Sequence, residues 1–402
     1  MADAPDGNGP AVFDADQHYY EALDAFTRHL DPAHGPRVVQ WCEIGGRRYH
    51  VLGGRVSRAV TNPTFDPIAR PGALYDYFRG NPAGANPLAL LAEREPVRPE
   101  YRDPSARMAT LDAQGLDGCL LFPTLGMIYE EPLAHDPWAV CRLFEAFNRW
   151  LLDDWGFDVG GRMFAAPYLT LADPAWAATE LRWALDRGAR CIVMRPAAPT
   201  TAQGRVSPFD PVFDGFWGLA DEAGVPVVLH AGDSGISSNG FAPDGFAATF
   251  ATGWKPSIKA FAIEQAIRDY LLTMIFERHL ERFPNVRLAS VENGAEYLPD
   301  LFAKVRSTAA KSPGYWSEDP LDTFRRHVWI NPFWEDDVVQ VVELMGADRV
   351  LFGSDWPHIE ALPEPRGSVD DLAVLGHDVR ARVLSSNVRE FLGLTTVAPA
   401  GT

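Results

Sequence analysis

The chain has 402 residues, 47% of them apolar and 22% charged, with a formal net charge of -18 at pH 7. That composition suits a water-soluble globular protein with a large core. The acidic excess argues against nucleic acid and anionic membrane surfaces as partners, since both select basic patches, but it leaves anionic small molecules open as substrates.

In chain order, residues 1–10 are rich in Gly, Pro, Asp and Asn and read as a disordered tail. A strand then starts at Ala11 and runs through Asp14, Asp16 and His18. From about Leu30 to Tyr101 the pattern is irregular and aromatic, which predicts an ordered insertion lying over the functional face. A regular alternation follows. Helical patterns cover Ser105–Gly118 (with Ser105 as N-cap), Pro137–Trp155, Pro174–Arg187, Pro211–Ala223, Ile258–Phe283, Ala295–Ala310, Asp336–Met345 and Asp378–Leu392. Between them lie short apolar runs at 119–123, 162–168, 189–196, 225–230, 286–292, 328–332 and 350–355. Strands alternating with helices mean parallel pairing, and eight strands close a (β/α)₈ TIM barrel. An open doubly wound sheet is the alternative, but no GxGxxG follows the first strand. The reading is one barrel domain over 11–395, with 30–101 as its insertion. No internal repeat is evident.

The four cysteines, Cys42, Cys119, Cys141 and Cys191, form no CxxC and read as small buried hydrophobes. With no apolar leader and no bilayer-length stretch, a cytoplasmic protein is expected.

The strand ends carry the chemistry. Asp16 and His18 end the first strand, Arg195 the fourth, His230 the fifth, Glu292 the sixth, Asn331 the seventh, and Asp355 and His358 follow the eighth. In a closed barrel these meet at the C-terminal mouth, where such folds place their active sites. Asp16 and His18 are one residue apart, so both side chains leave the same face of the strand. Imidazoles with carboxylates suit Zn, Fe or Mn, as one ion or two. Each residue alone also has a structural explanation: Asp355 as a helix cap, Glu292 paired with Arg287 or Lys304, Arg195 in a salt bridge. No Ser or Cys has a triad-like setting, so nucleophilic catalysis is not expected.

Four stretches, Asp14–Glu21, Pro226–Gly232, Leu288–Gly294 and Leu351–His358, together resemble the metal-dependent amidohydrolase superfamily, in its amidohydrolase-2 branch of decarboxylases and hydrolases. The resemblance covers nearly the whole chain from Phe13. It implies metal ligation by Asp16 and His18 (the family's HxH), His230 and Asp355. Two positions depart from the pattern: Asp16 and Glu292 stand where the family has histidines. No Lys ends the fourth strand, so a carbamylated lysine bridging two ions is not available, and Glu292 or Asp16 would have to bridge.

These observations lead to a metal-dependent hydrolase that cleaves an amide, lactone or thioester of a bulky apolar small molecule with metal-activated water. The alternative is non-oxidative decarboxylation of a small aromatic or unsaturated acid. A barrel that keeps its ligands but only binds is a third possibility. The expected metal set is Asp16, His18, His230, Glu292 and Asp355. Glu292, His358 and Asp355 are the expected catalytic groups, and Arg195, Asn331 and Trp254 the substrate contacts. Phe241, Phe246 and Phe250, with the aromatic residues of the insertion, would line an apolar pocket. A homodimer is expected.

Overall fold

A computed structural model describes residues 10–235 and 258–394 of the protein. Most of the expected tail lies outside these residues, as do Phe241, Phe246, Phe250 and Trp254.

Seven barrel strands are regular: β1 (Phe13–Tyr19), β2 (Gly118–Pro123), β3 (Met163–Ala165), β4 (Ile192–Met194), β5 (Val227–His230), β6 (Leu288–Val291) and β7 (Val328–Ile330). Each is buried along its full length, as expected when helices cover a parallel sheet. β1 pairs with β2, β2 with β3, and β4 through β7 pair in sequence order, all parallel. Tyr168, just past β3, bridges Val193 and joins the two runs.

The eighth segment closes the ring without forming a regular strand. Val350 bridges Ile330 on one side, and Trp356 bridges Gln17 on the other. Between them, Ala15 donates to Phe352 O and Asp355 donates to Asp16 O, each at 2.8 Å. A full strand was expected here. Within this segment Asp355 sits at φ 58°, a left-handed conformation outside the usual strand region.

The helices start on a recurring signal. At Asp103-Pro104, Asp136-Pro137, Asp173-Pro174 and Asp319-Pro320 the Asp carboxylate accepts a backbone N–H of the first turn, and Pro takes the first helical position. Asp103 therefore replaces Ser105 as the cap of Pro104–Gln114, because Pro104 already occupies the first helical position. Outside the insertion, two helices had not been anticipated, Gly126–Leu133 and Pro320–His327. The C-terminal helix is interrupted by a π-turn at Arg382–Ser386.

The insertion between β1 and β2 contains an antiparallel hairpin, Val39–Ile44 with Arg47–Leu52. Its two-residue turn, Gly45-Gly46, has φ of 59° and 74°, the geometry that glycine adopts most readily. Residues 72–74 of the insertion hydrogen-bond to the backbone just past the eighth segment, Gly72 to His358 O and Leu74 to Ile359 O. Its aromatic residues pack on neighbours: Phe65 on Tyr20 at 4.5 Å, Trp41 on His50 at 3.7 Å.

Candidate metal centre

At the C-terminal mouth, residues from four barrel segments converge. His18 Nε2 lies 3.4 Å from Asp16 Oδ1, 3.2 Å from Glu292 Oε2 and 3.3 Å from Asp355 Oδ1. His230 Nε2 lies 3.4 Å from the same Asp16 oxygen and 3.2 Å from the same Glu292 oxygen. Asp16, His18, His230 and Asp355 are all at most 2% exposed, whereas the Glu292 side chain is 19% exposed and faces the opening.

The tautomers follow from the backbone. His18 Nδ1 is 3.2 Å from Pro123 O, and His230 Nδ1 is 2.9 Å from Ala231 O. A carbonyl accepts only from N–H, so each ring keeps its proton on Nδ1 and turns Nε2 toward the carboxylates. Asp16 Oδ1 and His230 Nε2 have no hydrogen-bond partner although both are buried. Ligand atoms around one transition-metal ion at about 2.1 Å stand roughly 3.0–3.4 Å apart, depending on geometry. The observed separations fit that requirement, so Asp16, His18, His230 and Glu292 could hold a divalent ion, with Asp355 at its edge.

The local field favours positive charge. Burial would lower the His18 pKa, but Asp16 and Glu292 beside it hold it at about 9. Burial would likewise raise Asp16, yet the two facing imidazoles keep it below the usual carboxylate range. The same carboxylates that would keep a proton on His18 would hold a metal cation.

Two carboxylates of the group are held in unusual backbone geometry. Glu292 has φ 56° and Asp355 φ 58°, a region non-glycine residues seldom occupy, at a cost of about 1–3 kcal/mol each. Asn293, fully buried, anchors the first by donating to Leu229 O and Val291 O, both at 2.8 Å. Gly353 precedes the second, and a Cβ there would stand 2.6 Å from Asp16 Cβ and 2.7 Å from Asn331 Oδ1.

His358 lies against this group, its ring stacked on His18 at 3.9 Å. Its Nδ1 is 2.6 Å from Asp355 Oδ1, and its Nε2 is 3.0 Å from Thr124 Oγ1. Glu21 is buried behind, its Oε1 accepting from the amides of Leu125 and Gly126, and burial pushes its carboxyl up to about 7.

Two of the expected substrate contacts, Arg195 and Asn331, are buried in polar surroundings. Arg195 is 4% exposed and donates to Glu130, Glu131 and Asp233 O. Asn331 is buried against Gly353. Asp14, Thr124, Gln17 and Arg107 were not anticipated. For Asp14 a signal existed, because Asp14, Asp16 and His18 alternate along β1. Leu52, Val56, Val60, Ile128, Pro132 and Asp233 help line a mainly apolar cavity of about 310 Å³.

The amidohydrolase family profile matches residues 14–394. The chain belongs to the amidohydrolase family. Its solved relatives include an amidohydrolase of Mycobacterium avium subsp. paratuberculosis, 37% identical over 97% of this chain and 100% of that one, with a TM-score of 0.90. This amidohydrolase also shares its fold with a dihydroxybenzoic acid decarboxylase of Polaromonas sp. JS666, solved with bound manganese. That likeness has 15% identity, covers 80% of this chain and 93% of the other, and has a TM-score of 0.56. A curated relative, the 2-amino-3-carboxymuconate-6-semialdehyde decarboxylase of Dictyostelium discoideum, is 22% identical over 148 residues. The match spans 35% of this chain and 40% of that relative's length. Among the described residues no helix is long and apolar enough to cross a membrane.

Proposed function

We propose that this amidohydrolase is a metal-dependent carboxy-lyase that removes CO₂ from a small aromatic or unsaturated acid. The observation carrying this reading is a proton held at the mouth. Thr124 Oγ1 donates its one hydrogen to Tyr19 O at 2.9 Å, so toward His358 it can only accept. His358 Nε2 is therefore an N–H, and the 2.6 Å contact between its Nδ1 and Asp355 Oδ1 must enclose a second proton. Burial, with Glu292 nearby, drives the Asp355 carboxyl well up, while burial and the neighbouring imidazoles drive His358 well down.

A divalent ion at the site would bind the substrate's carboxylate or adjacent oxygen and stabilise charge as the carbon–carbon bond breaks. CO₂ departs leaving the bonding electron pair on carbon. The Asp355–His358 pair gives its proton to that carbon and recovers one from solvent. Hydrolysis, the first expectation from the sequence, calls for a free base near the ion, which Glu292 could supply, whereas decarboxylation calls for an acid, and the Asp355–His358 pair holds the proton for one. The decarboxylases among the relatives support the same choice.

The test is turnover of candidate aromatic and conjugated acids in D₂O and in ¹⁸O-labelled water. The expected result is CO₂ release with one deuterium on the vacated carbon. Entry of ¹⁸O into a released carboxylate, without CO₂, would establish hydrolysis instead.

A further inference from the structure

A chain of buried polar groups runs behind the ion-binding face. Asp14 on β1 is 0% exposed, and its carboxylate accepts four hydrogen bonds. Oδ1 takes the amides of Ser354 at 2.9 Å and Asp16 at 3.2 Å, and Oδ2 takes the Ser354 hydroxyl at 2.6 Å and Gln17 Nε2 at 3.0 Å. Four acceptor sites are all that a carboxylate offers. Asp14 therefore has nothing left for an ion and is not a ligand.

The residues it grips are neighbours of ligands. Ser354 immediately precedes the left-handed Asp355, and its hydroxyl also accepts from Trp356 N at 3.2 Å, so the turn is fixed from both sides. The other end of the chain is charged. Gln17 Oε1 accepts from Arg107 Nη1 at 3.1 Å, and Arg107 also donates to His18 O and Glu100 O. Arg107 is 0% exposed, and its guanidinium meets Asp14 only through the Gln17 amide. The buried Arg107 guanidinium and the buried Asp14 carboxyl are thus joined by a neutral amide bridge.

We propose that Asp14 and Ser354, braced by Gln17 and Arg107, are positioning residues that set how tightly the ion is held, by locking Asp355 in its left-handed conformation against β1. The proposal rests on reading the Asp16, His18, His230, Glu292 and Asp355 group as an ion site. It does not depend on the reaction catalysed there.

The test compares full-length wild type with Ser354→Ala, Ser354→Thr and Asp14→Asn. The probe is Mn²⁺, its dissociation constant measured by competition with a chromophoric chelator. Melting temperatures of metal-free and metal-loaded protein are recorded alongside. Loss of an outer hydrogen bond to a ligand weakens metal binding by about 10- to 100-fold, and that loss is expected for Ser354→Ala and Asp14→Asn. Ser354→Thr keeps the hydroxyl and should stay within a few-fold of wild type. A purely structural role would lower both melting temperatures alike and leave the dissociation constant unmoved, and that result in Ser354→Ala would overturn the proposal. Should Asp14→Asn fail to fold, Ser354→Ala decides, since it removes one hydroxyl. Wild type that binds no Mn²⁺ would overturn the ion site itself, whereas tight wild-type binding with an unchanged Ser354→Ala would overturn only the positioning role.

Discussion

Glu292 is the carboxylate of the ion group that faces the opening, within 3.2 Å of both His18 and His230. Glu292→Gln keeps its shape and removes its charge. Turnover should fall by about 10²–10⁴-fold, and the protein should retain Mn²⁺ less tightly through a chelating column. Full metal content with near-native rates would make Glu292 structural. A second residue-scale effect lies far from the mouth. His279 is fully buried among Trp217, Phe209 and Phe283, and burial, helped by Arg282, pushes its pKa down to about 3. In the unfolded chain the ring titrates near 6.5, so below that pH the unfolded state binds the extra proton and the fold loses stability. The loss is about 1.4 kcal/mol per pH unit between pH 6.5 and 3. His279→Leu removes this penalty, so the variant's stability in urea relative to wild type should improve by roughly 2 kcal/mol between pH 7 and pH 5. An equal difference at both pH values would show that the ring protonates in the folded protein. The ion-site candidates were legible because ligand-type residues end successive apolar runs. Arg195 shows the limit of that signal: its partners Glu130 and Glu131 lie 65 and 64 residues away, on a helix the pattern did not display.

At the scale of elements, periodicity located the apolar runs of the barrel, and what it missed has identifiable causes. The helix Gly126–Leu133 contains Pro132, a residue that usually interrupts a helical pattern, although near a helix end its lost hydrogen bond is tolerable. The eighth run reads as a strand up to Gly353, but it forms only isolated bridges, and Asp355 beyond it takes a left-handed backbone angle that apolar patterning does not encode. Gly353 makes that junction sensitive. Gly353→Ala would drive a methyl into Asp16 Cβ and the Asn331 amide, all within 2.9 Å. We expect a loss of about 1–3 kcal/mol, the usual scale for overpacking. Metal affinity should fall as well, since the displaced atoms belong to a ligand. A melting temperature and Mn²⁺ affinity both equal to wild type would show that the junction relaxes.

For the whole molecule, the ion group ties the first strand to the fifth, the sixth and the closing segment, so an ion bound there acts on the barrel as a unit. Stripping metal with a chelator should lower the melting temperature, and restoring Mn²⁺ at about 100 times its dissociation constant should return about 2.7 kcal/mol. No difference between stripped and loaded protein would mean that the ion binds folded and unfolded chains alike, or not at all. The overall charge of -18 does not conflict with a bound anionic acid, because the ion would supply positive charge where the acid docks.

The closing contact between Asp14 and Ser354 spans 340 residues of sequence. On a ribosome adding about 5–20 residues per second, β1 waits roughly 20–70 s before the segment that covers it has been made. Throughout that interval Asp14, Asp16 and His18 have no eighth strand to lie against, and the nascent chain holds only part of its ligand set. The complete ion-binding group therefore exists only near the end of synthesis. An ion bound at this group would thus be acquired late, and a chain truncated before Ser354 should be made without ever gaining a tightly held ion.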